Sequence, residues 1–253
     1  MTENPYASPN PESKPVPPKS NLKVTLLQVA VVAAVVTVII AMLLPNVQRA
    51  REPARRTQCK HNLKYISLAL HQYHDTYGTF PPAYTVDADG KRLHSWRTLI
   101  LPFLDQVALY NKIDLSKAWN DPVNEEIAKT MLPTYRCPAA IGSPNNAYYA
   151  AIVGPDTCFP GAASRSLAEI KDGTSQTLAV LEVNSENAVP WMSPMDVDEQ
   201  YLLSVRPKSK VTHTGGLYAL AADGTVRFLS ENLKESTRRA LMTSDAHDTV
   251  GEW

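Results

Sequence analysis

His213 and the pair Asp223-Gly224 offer an imidazole and a carboxylate, residue types that serve as metal ligands or as an acid/base pair when a hairpin brings them together. In the simplest register of that hairpin, His213 lies beyond the strand. The plainer reading is that Asp-Gly makes the turn while His213 hydrogen-bonds to a loop. Glu182 sits in the otherwise apolar LAVLEV and is notable if it points inward. With Trp191, Asp196 and His213 it could line a small polar pocket, although a strand end emerging into solvent explains it equally well. Asp87-Ala88-Asp89-Gly90 looks like a fragment of a calcium loop, but the further oxygen ligands and the closing Glu are missing. An exposed turn is the simpler account, and calcium is the one cofactor worth weighing.

The three cysteines are too few for a disulfide scaffold and lack zinc-site spacing. At most one disulfide forms. Outside the cytoplasm the expected pair is Cys137 with Cys158, because both flank a loop while Cys59 sits on a helix stripe; the alternative is three buried thiols. There is no nucleophile elbow, phosphate-cradling loop, metalloprotease helix or Cys-x-x-Cys pair. Hence no catalytic, cofactor-binding or metal-binding residues are assigned, and the expectation is a protein that is not an enzyme. Tyr73, Tyr77, Phe80, Tyr84 and Trp96 could stack on carbohydrate, or cement a helix onto a domain.

The elements that would position these residues begin with VTLLQVAVVAAVVTVIIAMLL, the uncharged run over 24–44. Its length suits a helix crossing a bilayer of about 30 Å. Residues 1–23 form a Pro- and Ser-rich tail expected to be disordered. Over 45–78 the spacing of Cys59, Leu63, Ile66, Leu70, Tyr73 and Tyr77 predicts one face of a helical stem, with Lys60, Lys64 and His71 on the other face and Gly78 as the stop. Residues 79–253 then form the C-terminal domain. It has a helix over 94–112 interrupted at Pro102, a helix over 120–131, strands over 147–153, 177–183, 217–222 and 225–229, and a closing helix over 232–242. Asp223-Gly224 predicts a two-residue type I′ hairpin that puts Leu217, Ala219 and Ala221 on one face with Val226 and Phe228. The fold class expected is α+β, with a long N-terminal helix laid on an antiparallel sheet. Lys plus Arg balance Asp plus Glu at 25 each, which leaves no electrostatic case for a nucleic-acid partner.

These blocks resemble the planctomycete type IV pilin-like family known as domain of unknown function 1559. The similar stretches are LLPNVQRAREPARRTQCKHNLKYISLALHQYHDTYGTFPPAY, SWRTLILPFLDQVALY, YRCP, DGTSQTLAVLEV and ADGTVRFLSE. His213 precedes Asp223-Gly224 with the family's nine-residue spacing. The resemblance implies a pilin-like anchor helix, a domain on the periplasmic side of the inner membrane, and no established enzymatic activity. Its implied partners are the lipid bilayer and other pilin-like subunits. A prepilin is cut after Gly and carries Glu five residues into the mature helix. This chain has Lys23, Val24 and Gln28 at the aligned positions, so the resemblance implies a degenerate processing site and a permanently anchored relative. The charge bias across the apolar run points the other way, toward a cytoplasmic domain.

Overall fold

The computed structural model of the protein describes residues 22–246, with the side chains of 22–25 and 41–51 left out of that description. The tail expected over 1–23 thus falls almost wholly outside the described residues. The chain divides into two compact units, Met1–Ala50 and Arg51–Trp253. Helix α1 (Leu22–Tyr77) contributes to both.

In the first unit the described side chains are those of residues 26–40, exposed around the helix and apolar except for Gln28 and Thr37. Among the described residues no helix is long and apolar enough to cross a membrane. This corrects the expected transmembrane helix over 24–44.

In the second unit, the residues of α1 from Arg51 onward form a core element of the domain. Cys59, Leu63 and Ile66 are wholly buried and Leu70 nearly so, because the 3.6-residue period lines them up on the face toward the domain. Asn62 and Ser67 are buried beside them, whereas Tyr77 leaves the stripe and is 62% exposed. Gly78, at φ 78°, ends the helix with its N–H on the His74 carbonyl.

A hairpin of β1 (Tyr84–Val86) and β2 (Arg92–Ser95) follows. The helix expected over 94–112 is broken into α2 (Trp96–Leu99), a 3-10 turn at Leu101–Leu104 and α3 (Val107–Tyr110). Asp105, in the left-handed region at φ 58°, enforces the second break. Helix α4 (Pro122–Ala128) starts on Asp121, whose carboxylate accepts the Val123 N–H. Next come β3 (Asn146–Ala147), β4 (Tyr149–Ala151), β5 (Leu178–Glu182), β6 (Val189–Pro190), α5 (Glu199–Ser204), β7 (Gly216–Ala221), β8 (Val226–Ser230) and α6 (Glu235–Ala240).

The central sheet runs β4-β5-β7-β8, antiparallel throughout, so the α+β expectation with antiparallel pairing holds. Tyr149, Val180 and Leu220 pack into the cluster shared with α1, whereas Leu178, Leu181, Leu217 and Leu229 pack with Leu202, Leu203, Leu241 and Met242 on the far side. Burial on both faces explains why all five residues of β5 are buried and why Leu178 to Leu181 are continuously apolar rather than alternating.

Candidate functional site

Where α1 meets the end of β5, four side chains of metal-ligand type converge. Cys59, Cys137, Glu182 and His213 each place one candidate donor atom within 4.8 Å of the others, and all four residues are buried. Cys59 and Cys137 are joined as a disulfide across a Cα–Cα distance of 5.4 Å. This corrects the pairing of Cys137 with Cys158, which is a free, buried thiol pushed by burial up to about 12. The helix stripe that argued against Cys59 is the inward face, and a loop cysteine can reach it there. Asn62, one turn along α1, brings that loop in: its amide donates to the carbonyls of Pro133 (3.2 Å) and Arg136 (2.8 Å), the residue before Cys137.

His213 is held from both sides. Its Nδ1 lies 3.0 Å from Glu52 Oε1 on α1, and its Nε2 lies 3.4 Å from Glu182 Oε1 and 3.8 Å from Cys137 Sγ. Glu182 Oε2 accepts the Tyr218 N–H at 2.8 Å, while Oε1 has no hydrogen-bond partner among the described residues. Burial alone lowers the imidazole's proton affinity, but the adjacent Glu182 and then Glu52 overrule it and hold the His213 pKa above its ordinary value. Burial in turn opposes ionisation of Glu52, yet His213 and Arg56 together keep its carboxyl below the usual range. Glu182 is therefore a core carboxylate, not a strand end emerging into solvent.

The other half of the motif docks on the same helix. Lys64 Nζ donates to the Gly224 carbonyl at 2.7 Å, and a Cβ on Gly224 would stand 2.6 Å from Ser67 Oγ. The Lys64 face of α1 thus meets the domain instead of only solvent. Gly224 is at φ 87°, but Asp223 is not in the left-handed region. The turn is accordingly not type I′: Gly224 N–H bonds the Ala221 carbonyl, the Ala221 N–H bonds the Thr225 carbonyl, and a three-residue loop ends in a left-handed glycine. Leu220 pairs with Val226 and Tyr218 with Phe228, so the expected register is off by one and the facing sets change. Asp223 Oδ1 is engaged by the Thr225 N–H and hydroxyl, both at 2.8 Å, and takes no part in the His213 cluster.

Trp191 and Asp196 do not share a pocket with Glu182. They surround Arg97, a fully buried residue that sequence reasoning passed over. Its guanidinium reaches Asp196 Oδ1 at 2.6 Å and the carbonyls of Trp191, Tyr149, Ser193 and Met195 at 2.8–3.2 Å, using all five donors. Asp196 Oδ1 also accepts from Trp96 Nε1 and the Ala151 N–H. This fills the space between Trp191 and Asp196 and locks the loop. Nothing in a lone Arg between Trp96 and Thr98 marks it in sequence, except the rarity of charge in an otherwise apolar stretch.

Phe80 and Trp96 are buried, stacked or tilted against Phe159, so they cement the helix to the domain; they offer no exposed sugar platform. Asp87–Gly90 is the β1–β2 turn, with Asp87 Oδ1 accepting from the N–H groups of Asp89 and Lys91. Gln28 is exposed on α1, while the side chains of Lys23 and Val24 lie outside the described residues. An open cleft of about 700 Å³ lies between the loop after β5 and α5, lined by Asn184, Asn187, Tyr201 and Lys210 among others.

No curated protein and no solved structure matches the chain. Residues 48–159, which carry Glu52, Cys59, Arg97 and Cys137, match the family described as Protein of unknown function (DUF1559).

Proposed function

We propose that the chain is a non-enzymatic, pilin- or pseudopilin-like subunit of an envelope assembly or secretion-related structure, with its disulfide-closed domain outside the cytoplasm. The observation that carries this reading is the helix over residues 26–40. Ten large apolar side chains there are at least 46% exposed, from Val36 at 46% to Leu27 at 66%, and they point in every direction. A helix apolar all round needs an apolar covering. Like helices from other copies supply one, and such packing makes an assembly subunit. The Cys59–Cys137 bridge supports the compartment, since structural disulfides persist where thiols are oxidised.

The test is cross-linking in the native cell. A Val32→Cys chain should give covalent dimers under mild oxidation, and adding Val36→Lys on the same helix face should abolish them. Monomers alone from Val32→Cys would overturn the reading. The cleft near Tyr201 favours a second reading, a tethered module that captures a small polar ligand, because its volume is in the range of ligand pockets. Saturable binding that Tyr201→Ala removes would support that second reading.

A further inference from the structure

We infer that, in its dithiol form, this domain binds one zinc-type divalent ion through Cys59, Cys137, His213 and Glu182. This goes beyond the assembly role above and does not depend on it.

The donor set is the first ground. Two thiolates, an imidazole and a carboxylate are the ligand types of tetrahedral zinc. Bonds of about 2.3 Å to sulfur and about 2.0–2.2 Å to nitrogen and oxygen set tetrahedral ligand atoms roughly 3.3–3.8 Å apart. His213 Nε2 already stands 3.4 Å from Glu182 Oε1 and 3.8 Å from Cys137 Sγ. Opening the S–S bond lets the two sulfurs separate to a similar spacing by small side-chain rotations.

The outer contacts are the second ground. A metal-bound histidine characteristically offers its other ring nitrogen to a carboxylate, which fixes tautomer and ring plane. Here Nδ1 faces Glu52 at 3.0 Å, leaving Nε2 aimed into the cluster. Glu182 is oriented in the same way, since Oε2 is held by the Tyr218 N–H and Oε1 is left toward the sulfurs.

The third ground is the unpartnered atom. Glu182 is 0% exposed and its Oε1 makes no hydrogen bond among the described residues, with His213 Nε2 standing off at 3.4 Å. A buried carboxylate oxygen approached only at 3.4 Å by an imidazole nitrogen is under-satisfied, and a cation among these four groups removes that cost. The ion's two charges also offset two of the three negative charges carried by the thiolates and Glu182.

Metal and disulfide are then alternative occupants of one place. Conversion is thiol–disulfide exchange: the two thiolates form the Cys59–Cys137 bond, the ion is released, and the partner disulfide takes up two electrons to become two thiolates.

The experiment uses the full chain, reduced with a phosphine and titrated with Co(II) and then Zn(II), with circular dichroism recorded throughout. The expected result is one ion per chain, a thiolate-to-Co(II) charge-transfer band that Zn(II) displaces, and no band in the oxidised chain. His213→Ala and Glu182→Gln should each weaken binding at least tenfold. Glu52→Gln, a positioning change, should weaken it by about ten- to a hundredfold with the band retained. Absence of the band in the folded, reduced chain would overturn the inference, as would equal affinity in His213→Ala, Glu182→Gln and the parent. If reduction unfolds the chain, recovery of the native spectrum on adding Zn(II) supports the site, and failure to recover it sinks the site.

Discussion

Arg97 shows most clearly how a single side chain organises this domain. A guanidinium with all five donors engaged and a carboxylate at 2.6 Å can be buried because its hydration is replaced bond for bond. Removing it leaves the buried Asp196 carboxylate without its counter-charge and takes a donor from each of four carbonyls. Arg97→Met should therefore lower unfolding free energy by about 3–5 kcal/mol, and Arg97→Lys should not rescue it, because an ammonium cannot reproduce the fork. Chemical denaturation of the two variants checks this. Gly224 is the second such position. Gly224→Ala meets both the left-handed φ of 87° and Ser67 Oγ, so it should cost more than the roughly 1–2 kcal/mol of a left-handed residue alone. In a Ser67→Ala background the penalty should shrink toward that value, a coupling that a double-mutant cycle measures. Cys158, whose thiol is pushed up to about 12, should resist alkylation in the native state and react only on unfolding.

At the scale of elements, His213 and Gly224 clamp the β7–β8 hairpin onto α1. His213 grips Glu52 before β7, and Gly224 receives Lys64 after it, so the hairpin is pinned at both ends to one helix. The pH dependence of this junction follows from the two shifts. His213 has a raised folded pKa, so its contribution is complete below its ordinary value of 6.5 and is lost as pH rises through the folded value. Glu52 has a lowered one, so its contribution is complete above 4.5 and is lost as pH falls through the folded value. The melting temperature of the oxidised, metal-free protein should thus decline above about pH 6.5, and His213→Gln should flatten that decline. A decline equally steep in the variant would place its origin elsewhere. The hairpin's position was legible from Asp-Gly between two apolar runs; its register was not. Whether a two- or three-residue loop forms depends on Gly224 settling beside Ser67, a contact made across 157 positions of chain that no local pattern contains.

For the whole molecule, the Cys59–Cys137 bridge ties α1 to the loop after Tyr135 over a sequence separation of 78. A closed loop of that length constrains the unfolded chain by about 4 kcal/mol. Cys59→Ser with Cys137→Ser should accordingly lose stability of that order, read from denaturation midpoints in the absence of metal. Sequence by itself determined the buried stripe of Cys59, Leu63, Ile66 and Leu70, the stop at Gly78 and the antiparallel α+β character. These are written in periods and turn residues that act within a few positions of one another. Tertiary structure alone decided which cysteines pair, that Glu182 is buried against His213, that Arg97 occupies the space between Trp191 and Asp196, and that four ligand-type side chains meet at one point. Each of those outcomes depends on side chains far apart along the chain being brought face to face. Only the packed core sets which atoms lie opposite which.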